Sequence, residues 1–498
     1  MRKVKALALA AALLLPAIPA AAQDGAITIA RQVSTTAMDP GFLKEAATIV
    51  DNIFDTLVMR DQDMKLVPGL AESWKAIDDR TWEFKLRKGV TFHDGETFDA
   101  EAVKFSIDRI LDPLAKSPTL SYIRTIEGVD IIDPTTVRIR TNGPDPLLPT
   151  RMSRYPTYIV PPAYVRKVGN DVFASKPVGT GAYKFVEFVP DQHVILEANP
   201  NYWRGAPSIQ RVTWRAIPDG TARMTALITG EADLVENVPV DLAPLIQSSP
   251  DADLVQVKNG GLTIYLGLVM KDKPLDDTKV RQALDAAIDR KGIVDNILQG
   301  MATPKGTQVG PADFGYLDVP PTPYDPAKAK ALLAEAGYPD GFRIKMQSTT
   351  RYMKDGEVAQ AIAQQFGDVG VRIDQEVLDW SVYTQQVPRQ GPIFMLGWGS
   401  TQTLDADAAL YAIMRTGEPY STASIPKLDR LLDESRRVVD PAARKTILED
   451  IQKTAAEQVP LLPLYQEDAL YGKSKRVLFE GRPDARIPVF EIKLAPAQ

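Results

Sequence analysis

Two aspartates, Asp405 and Asp407, stand two residues apart behind a short apolar run, Ile393-Phe394-Met395-Leu396, and a break at Gly397-Trp398-Gly399. A buried strand that ends in glycines, an aromatic ring and an acid is a common way to build a small-molecule site. The carboxylates suit acid/base work or an electrostatic contact to a cation, but a glycosidase pair is a distance in space that spacing along the chain does not measure. Trp398, between glycines, offers a stacking face or an ordinary packing surface. The stretch equally fits a strand, a turn and a helix over 406–414 capped by Asp405, which would leave Asp407 as the contact.

Elsewhere the chemistry thins out. The chain has two histidines, His93 and His193, each in or beside turn-like sequence and neither in an HxxxH or HxH pattern. That argues against a His-ligated metal site. A Ser-His-Asp triad would need one of them, and neither lies near a GxSxG elbow. Gly179-Thr180-Gly181 lacks the Lys-Ser/Thr of a phosphate loop. Ser34 to Asp39 is a polar loop after the first strand and suits a first cover over a site, although Asp39 before Pro40 also suits a plain turn. Nothing here demands an enzyme, and no cofactor is implied.

The elements that must position these residues follow from length and pattern. A chain of 498 residues, 44% hydrophobic and 24% charged, predicts two or three lobes of an ordinary globular protein. A net charge of −6 argues against nucleic acid and against anionic lipid. There is no cysteine, hence no disulfide, thiol nucleophile or lipid-anchoring Cys. Arg2, Lys3 and Lys5, the apolar run Ala6 to Leu15 and the small residues Ala20-Ala21-Ala22 predict a cleavable signal peptide over 1–22, cut between Ala22 and Gln23. The mature charge is then −9, since −6 minus 3 is −9. Export without disulfides fits the bacterial periplasm.

Ala26–Arg31 predicts a first strand, and Ile49, Ile53, Phe54 and Leu57 recur at helical spacing. Trp82, Phe84 and Leu86 alternate with charge as a half-buried strand, and Asp99 is placed to cap a following helix. Prolines from Pro144 to Pro162 make a loop-rich stretch, and strands follow from Tyr183. From Asp277 helices alternate with strands: a helix over 278–290, others over 327–336 and 358–369, and strands over 343–347 and 371–377. This predicts an α/β lobe with helices covering a sheet.

Six stretches, in order, carry a resemblance that spans nearly the whole mature chain. They are Gly69-Leu70-Ala71-Glu72-Ser73-Trp74 with Trp82 to Val90 and Phe92-His93-Asp94-Gly95; Pro177 to Tyr183; Asn199-Pro200-Asn201-Tyr202-Trp203; Pro274-Leu275-Asp276-Asp277; Val280-Arg281-Gln282-Ala283 with Ala287-Ile288-Asp289-Arg290; and Tyr324-Asp325-Pro326 with Ala329 to Tyr338. Together they resemble the extracellular solute-binding protein family 5, the peptide/opine/nickel type of periplasmic receptor for ABC importers. Ala182 stands where the family's PxGTGPY has Pro, and Val269 where Asn is frequent.

The resemblance implies an α/β fold of the periplasmic-binding-protein type II, or Venus-flytrap, class in three domains with two hinge crossings. Lobe I would comprise 23–50, 172–262 and 472–498, with a domain inserted over 51–171. Lobe II would comprise 263–471, and the crossings would lie near Gly261 and Tyr471. It implies capture of a short peptide or peptide-like zwitterion (a dipeptide, oligopeptide, glutathione or opine) by a monomer that delivers it to an inner-membrane permease. By the same resemblance Asp405 takes a ligand amine and Arg351 a ligand carboxylate, two charge-assisted contacts that would read a zwitterion by its ends. Tyr265 and Thr180 are implied as further contacts at lobe-facing strand ends, and Trp398, Gly397, Asp407 and Asp39 join them as candidates from their own sequence settings. A metal-chelate receptor, a secreted hydrolase and a chemoreceptor or chaperone role are the rival readings.

Overall fold

The computed structural model describes residues 25–43, 48–387, 391–399 and 403–496. The expected signal peptide and its cleavage site lie outside them. Three main sheets form among these residues. In the first, Ala26–Arg31 runs parallel to Arg211–Ala216 and to Leu234–Glu236. Ala469–Ser474 and Ala252–Val257 extend one edge, and His193–Ala198 and Tyr183–Val189 the other. The second has the order Ala302–Pro304, Leu461–Glu467, Thr263–Leu268, Ile393–Trp398, Phe342–Ser348, Val371–Val377. All six residues of Thr263–Leu268 are buried, as a central strand covered on both faces must be. The third, from Ala71 to Thr141, has four antiparallel strands.

Each sheet has its own core. Residues from Ile264 to Tyr465 make one, residues from Leu57 to Ile159 a second, and the first sheet is covered on its two faces by two more. Tyr155, Tyr158 and Val165 pack into a core of the first sheet, so the inserted unit's own core is shorter than 51–171.

The chain passes between the first and second sheets twice. One passage runs from Val257 to Thr263. The other is the single residue Asp468, between Glu467 and Ala469. The second therefore falls three residues before Tyr471. Ala469–Ser474 pairs with Ala252–Val257 and belongs to the first sheet.

Two helices differ from expectation. The pattern at 49–57 yields only Val50–Ile53, after which the backbone extends at Phe54. Here Gly181 N–H donates to Ile53 O at 2.9 Å, and a Cβ on Gly179 would stand 2.0 Å from that oxygen. The close approach of Gly179-Thr180-Gly181 is what this extended segment accommodates. The helix expected over 278–290 is two, Thr278–Ala286 and Arg290–Asn296, because Asp289 caps the second by accepting Gly292 N–H at 2.8 Å. Among the described residues no helix is long and apolar enough to cross a membrane.

Candidate functional site

The strand Ile393–Trp398 lies between Thr263–Leu268 and Phe342–Ser348. Thr263 pairs with both Trp398 and Gln466. Phe342–Ser348 runs parallel to Ile393–Trp398. The start of one strand (Thr263), the ends of two others (Trp398, Glu467) and the loop after Ser348 therefore share one end of the second sheet. Both passages to the first sheet leave from that end, so it faces the cleft between lobes.

The expected contact residues have partners within the fold. Asp405 is the N-cap of Ala406–Met414, accepting Asp407 N–H at 3.0 Å. Its carboxylate also receives Arg444 Nη1 and Nη2, each at 2.7 Å. Both side chains are 4% exposed, so this is a buried, two-pronged ion pair and the acid is already neutralised. Asp407 receives Arg436 Nε at 2.6 Å and Nη2 at 2.9 Å, and that guanidinium lies over the Tyr411 ring. Both oxygens of each acid thus meet a guanidinium of lobe II.

Asp39 is buried and takes Arg109 on both oxygens, at 3.1 and 2.7 Å, plus Gly41 N–H at 3.1 Å. It ties the first loop to the helix Ala100–Leu111. Thr180 donates to Asp55 at 2.9 Å. Asp55 also accepts Tyr202 Oη at 2.9 Å and Trp203 Nε1 at 3.0 Å, and burial raises its pKa. Tyr265 is 1% exposed, packed edge-on to Phe394 in the core of lobe II. Asp39, Thr180 and Tyr265 hold the fold, and none of the three side chains is presented to solvent.

Trp398 is half-buried. Its indole N–H donates to Ala408 O at 2.8 Å, and its ring lies 5.1 Å from Tyr420. The N–H is spent on tying strand end to helix, and only the ring remains to offer a ligand. Gly397 makes room for Tyr352: a Cβ there would stand 2.7 Å from the Tyr352 ring and 2.9 Å from Ile264 Cδ1.

Arg351 stands apart from the acids. It is exposed, lies 4.6 Å over the Trp380 ring, and pairs with no carboxylate among the described residues. Its loop touches both lobes. Lys354 bridges to Asp241 of lobe I at 2.8 Å and to Glu357 at 2.9 Å. Met353 N–H donates to Glu467 Oε1 at 2.9 Å. Glu467 is half-buried, and desolvation pushes its pKa up to about 7. The next residue, Asp468, accepts Asn259 N–H at 2.9 Å, Lys258 Nζ at 2.9 Å and Gln256 Nε2 at 2.6 Å, which joins the two passages to each other.

Further out, a cavity of about 560 Å³ opens between the inserted unit and lobe II, walled by Met64, Trp74, Phe314 and Leu404. Arg60 reaches across it, donating to Met64 O and to Thr403 O of lobe II. Its pKa is lowered to about 10, chiefly by burial. Met64 and Leu404 both hold positive φ, at 64° and 49°. Left-handed backbone at bulky residues is strain that tends to collect at binding sites.

His93 is half-buried, bonded to Gly181 O at 2.9 Å and accepting Gly179 N–H at 3.3 Å, and desolvation pulls its pKa down to about 4. His193 opens a strand directly after the turn at 191–192. Sequence reasoning missed Arg444, Arg436, Arg60, Glu467 and Asp468. The last two carried one signal, an acidic pair that interrupts an otherwise strand-like run.

Two lobes, two passages joined by Asp468 and a free cation at the shared strand ends define a hinged solute-binding protein. Residues 65–421 match the family model "Bacterial extracellular solute-binding proteins, family 5 Middle". The chain belongs to that family. It is 31% identical over 482 residues to the glutathione-binding protein GsiB of Pectobacterium atrosepticum, covering 93% of each chain. Among solved structures it resembles the periplasmic binding protein DppA of Helicobacter pylori in complex with the peptide STSA. The TM-score there is 0.76 at 26% identity, covering 94% of this chain and 98% of that one. It shares its fold with HbpA2 of Haemophilus parasuis, with TM-score 0.85, 24% identity, and coverage of 94% and 100%.

Proposed function

We propose that the protein is the substrate-binding component of an ABC importer and captures a short peptide or peptide-like solute, glutathione among them, between its lobes. The observation that carries this reading is Arg351. Its guanidinium is stacked on Trp380, unpaired among the described residues, and mounted on a loop fastened to lobe I through Lys354–Asp241 and to the hinge through Met353–Glu467. A planar fork so placed suits a ligand carboxylate, and a ligand held there lies beside the contact between the two lobes. Trp398, at the end of the strand Ile393–Trp398, supplies a ring wall at the same end of the sheet. The relatives' ligands, glutathione and a peptide, both carry free carboxylates and support this choice.

The reading includes export to the periplasm after cleavage between Ala22 and Gln23, and action as a monomer that docks on an inner-membrane permease. The test is titration calorimetry with glutathione and Ala-Ala on the wild type and Arg351→Ala. The variant should lose about 2–3 kcal/mol, roughly 30- to 150-fold in affinity, with unfolding unchanged. Equal affinity in both proteins would remove Arg351 from the site. No binding of either probe by the wild type would remove the peptide reading itself.

A further inference from the structure

A peptide-like ligand brings an amine as well as a carboxylate. The acids that its amine would be expected to meet are occupied. Asp405 is closed on Arg444, Asp407 on Arg436 and Asp39 on Arg109, each by two nitrogens of one guanidinium. An ammonium entering any of these would displace an arginine from a two-pronged ion pair, and at Asp405 it would leave the buried Arg444 without its counter-charge.

We propose that Glu467 is the carboxylate that receives the ligand's amine. It ends the strand Leu461–Glu467 at the same end of the sheet as Trp398 and the Arg351 loop. It stands directly before the interlobe passage at Asp468. Its Oε1 holds Met353 N–H, and no Lys, Arg or His among the described residues forms an ion pair with it. The groups around it supply no positive compensation. Asp355 adds negative charge, and the Tyr352 and Tyr465 phenols sense Glu467 as a nearby charge. Asp355 itself is occupied by Tyr352 and Gly356 N–H. Lys354 is committed to Asp241 and Glu357, and Lys258 turns to Asp468. A half-buried carboxylate without an ion-pair partner among the described residues, bonded to Met353 two residues along from the unpaired Arg351, is complementary to an ammonium. Arg351 and Glu467 would then read the two ends of one zwitterion, on the same lobe and beside the hinge.

The titration of Glu467 gives the proposal a signature. Desolvation raises its pKa to about 7, so near neutrality the free protein holds it partly protonated. An arriving ammonium favours the ionised form, so binding releases a proton, and affinity rises as pH rises through that value.

The inference rests on the peptide reading above, and the experiment separates the two. Calorimetry with Ala-Ala and with N-acetyl-Ala-Ala is run from about pH 5.5 to 7.5 in buffers of different ionisation enthalpy. Ala-Ala should bind with proton release and gain affinity with pH, while the acetylated peptide should bind about 10- to 100-fold more weakly without proton release. Glu467→Gln retains an acceptor for Met353 N–H. It should abolish the proton release and weaken Ala-Ala by a similar factor, leaving N-acetyl-Ala-Ala unchanged. Equal binding of the two peptides, or proton release that survives in Glu467→Gln, would overturn the assignment of Glu467 while leaving the peptide reading standing. Failure of Ala-Ala, N-acetyl-Ala-Ala and glutathione alike would overturn both.

Discussion

Arg444 sets its two terminal nitrogens on the two oxygens of Asp405, at 2.7 Å each, with both side chains 4% exposed. Its Nε donates to Ser435 O at 3.0 Å. The pair therefore locks the start of the helix Ala406–Met414 to the helix Pro441–Gln458. An acid that the sequence offers as a ligand clamp is, in the fold, a strut.

Breaking that strut should cost stability before it costs binding. Arg444→Met and Asp405→Leu should each lose about 3–5 kcal/mol, because each leaves a buried charge alone. The double variant should recover much of the loss. Denaturant unfolding of the three proteins measures this. Losses that simply add would show that the two residues do not act as a pair.

Gly397→Ala should separate folding from binding. The new methyl would press on the Tyr352 ring at 2.7 Å, and Tyr352 is the neighbour of Arg351. Overpacking of this kind costs about 1–3 kcal/mol, and the displacement is passed directly to the Arg351 loop. Affinity for glutathione should fall by about tenfold or more while the protein stays folded. Unchanged affinity would disconnect Tyr352 from the position of Arg351.

The pH dependence of stability should have two opposing limbs. His93 has a folded pKa of about 4 against an ordinary 6.5. The fold holds it neutral, so its contribution is complete above 6.5 and is lost as pH falls from there toward 4, by up to about 3 kcal/mol. His93→Gln should flatten this acid limb. Glu467 has the opposite sign, with a folded pKa of about 7 against 4.5. Its contribution is complete below 4.5 and is lost as pH rises through 7. Glu467→Gln should therefore be more stable than the wild type at about pH 8, by about 1–2 kcal/mol given its partial exposure. Thermal unfolding across pH resolves both. Parallel curves for wild type and variant would dissociate that residue from its limb.

Asp468→Ala should loosen the junction. It removes the acceptor for Lys258, Asn259 and Gln256 at once. Hydrogen exchange over 258–262 should rise by about tenfold or more, since local opening follows lost protection. Exchange at the wild-type rate would mean that the two passages are held by other contacts.

The parts of this molecule that were legible in the sequence are those decided by neighbours in the chain. Asp99 caps Ala100–Leu111 as its position before an apolar-periodic run suggests, and Asp405 does the same for Ala406–Met414. The α/β lobe after Thr263 follows from the alternation of helical and strand periods. The roles of individual acids were not legible, because their partners lie 29 residues away for Asp407 and 39 for Asp405. Arg444 sits in a polar-looking helix and is nevertheless 3% exposed. Hydropathy patterns report faces, and an ion pair is a choice between two faces made only when they meet. The sequence brings the second passage only to the neighbourhood of Tyr471, because the flanking residues are strand-like on both sides and only hydrogen-bond register assigns Ala469–Ser474 to the first sheet.

That one-residue passage has a mechanical consequence. A single residue supplies two soft backbone torsions, and the longer neighbouring passage, bonded to it through Lys258 and Asn259, cannot swing independently. Movement of one lobe against the other therefore has to bend both passages together, so the hydrogen bonds at Asp468 couple the two crossings mechanically.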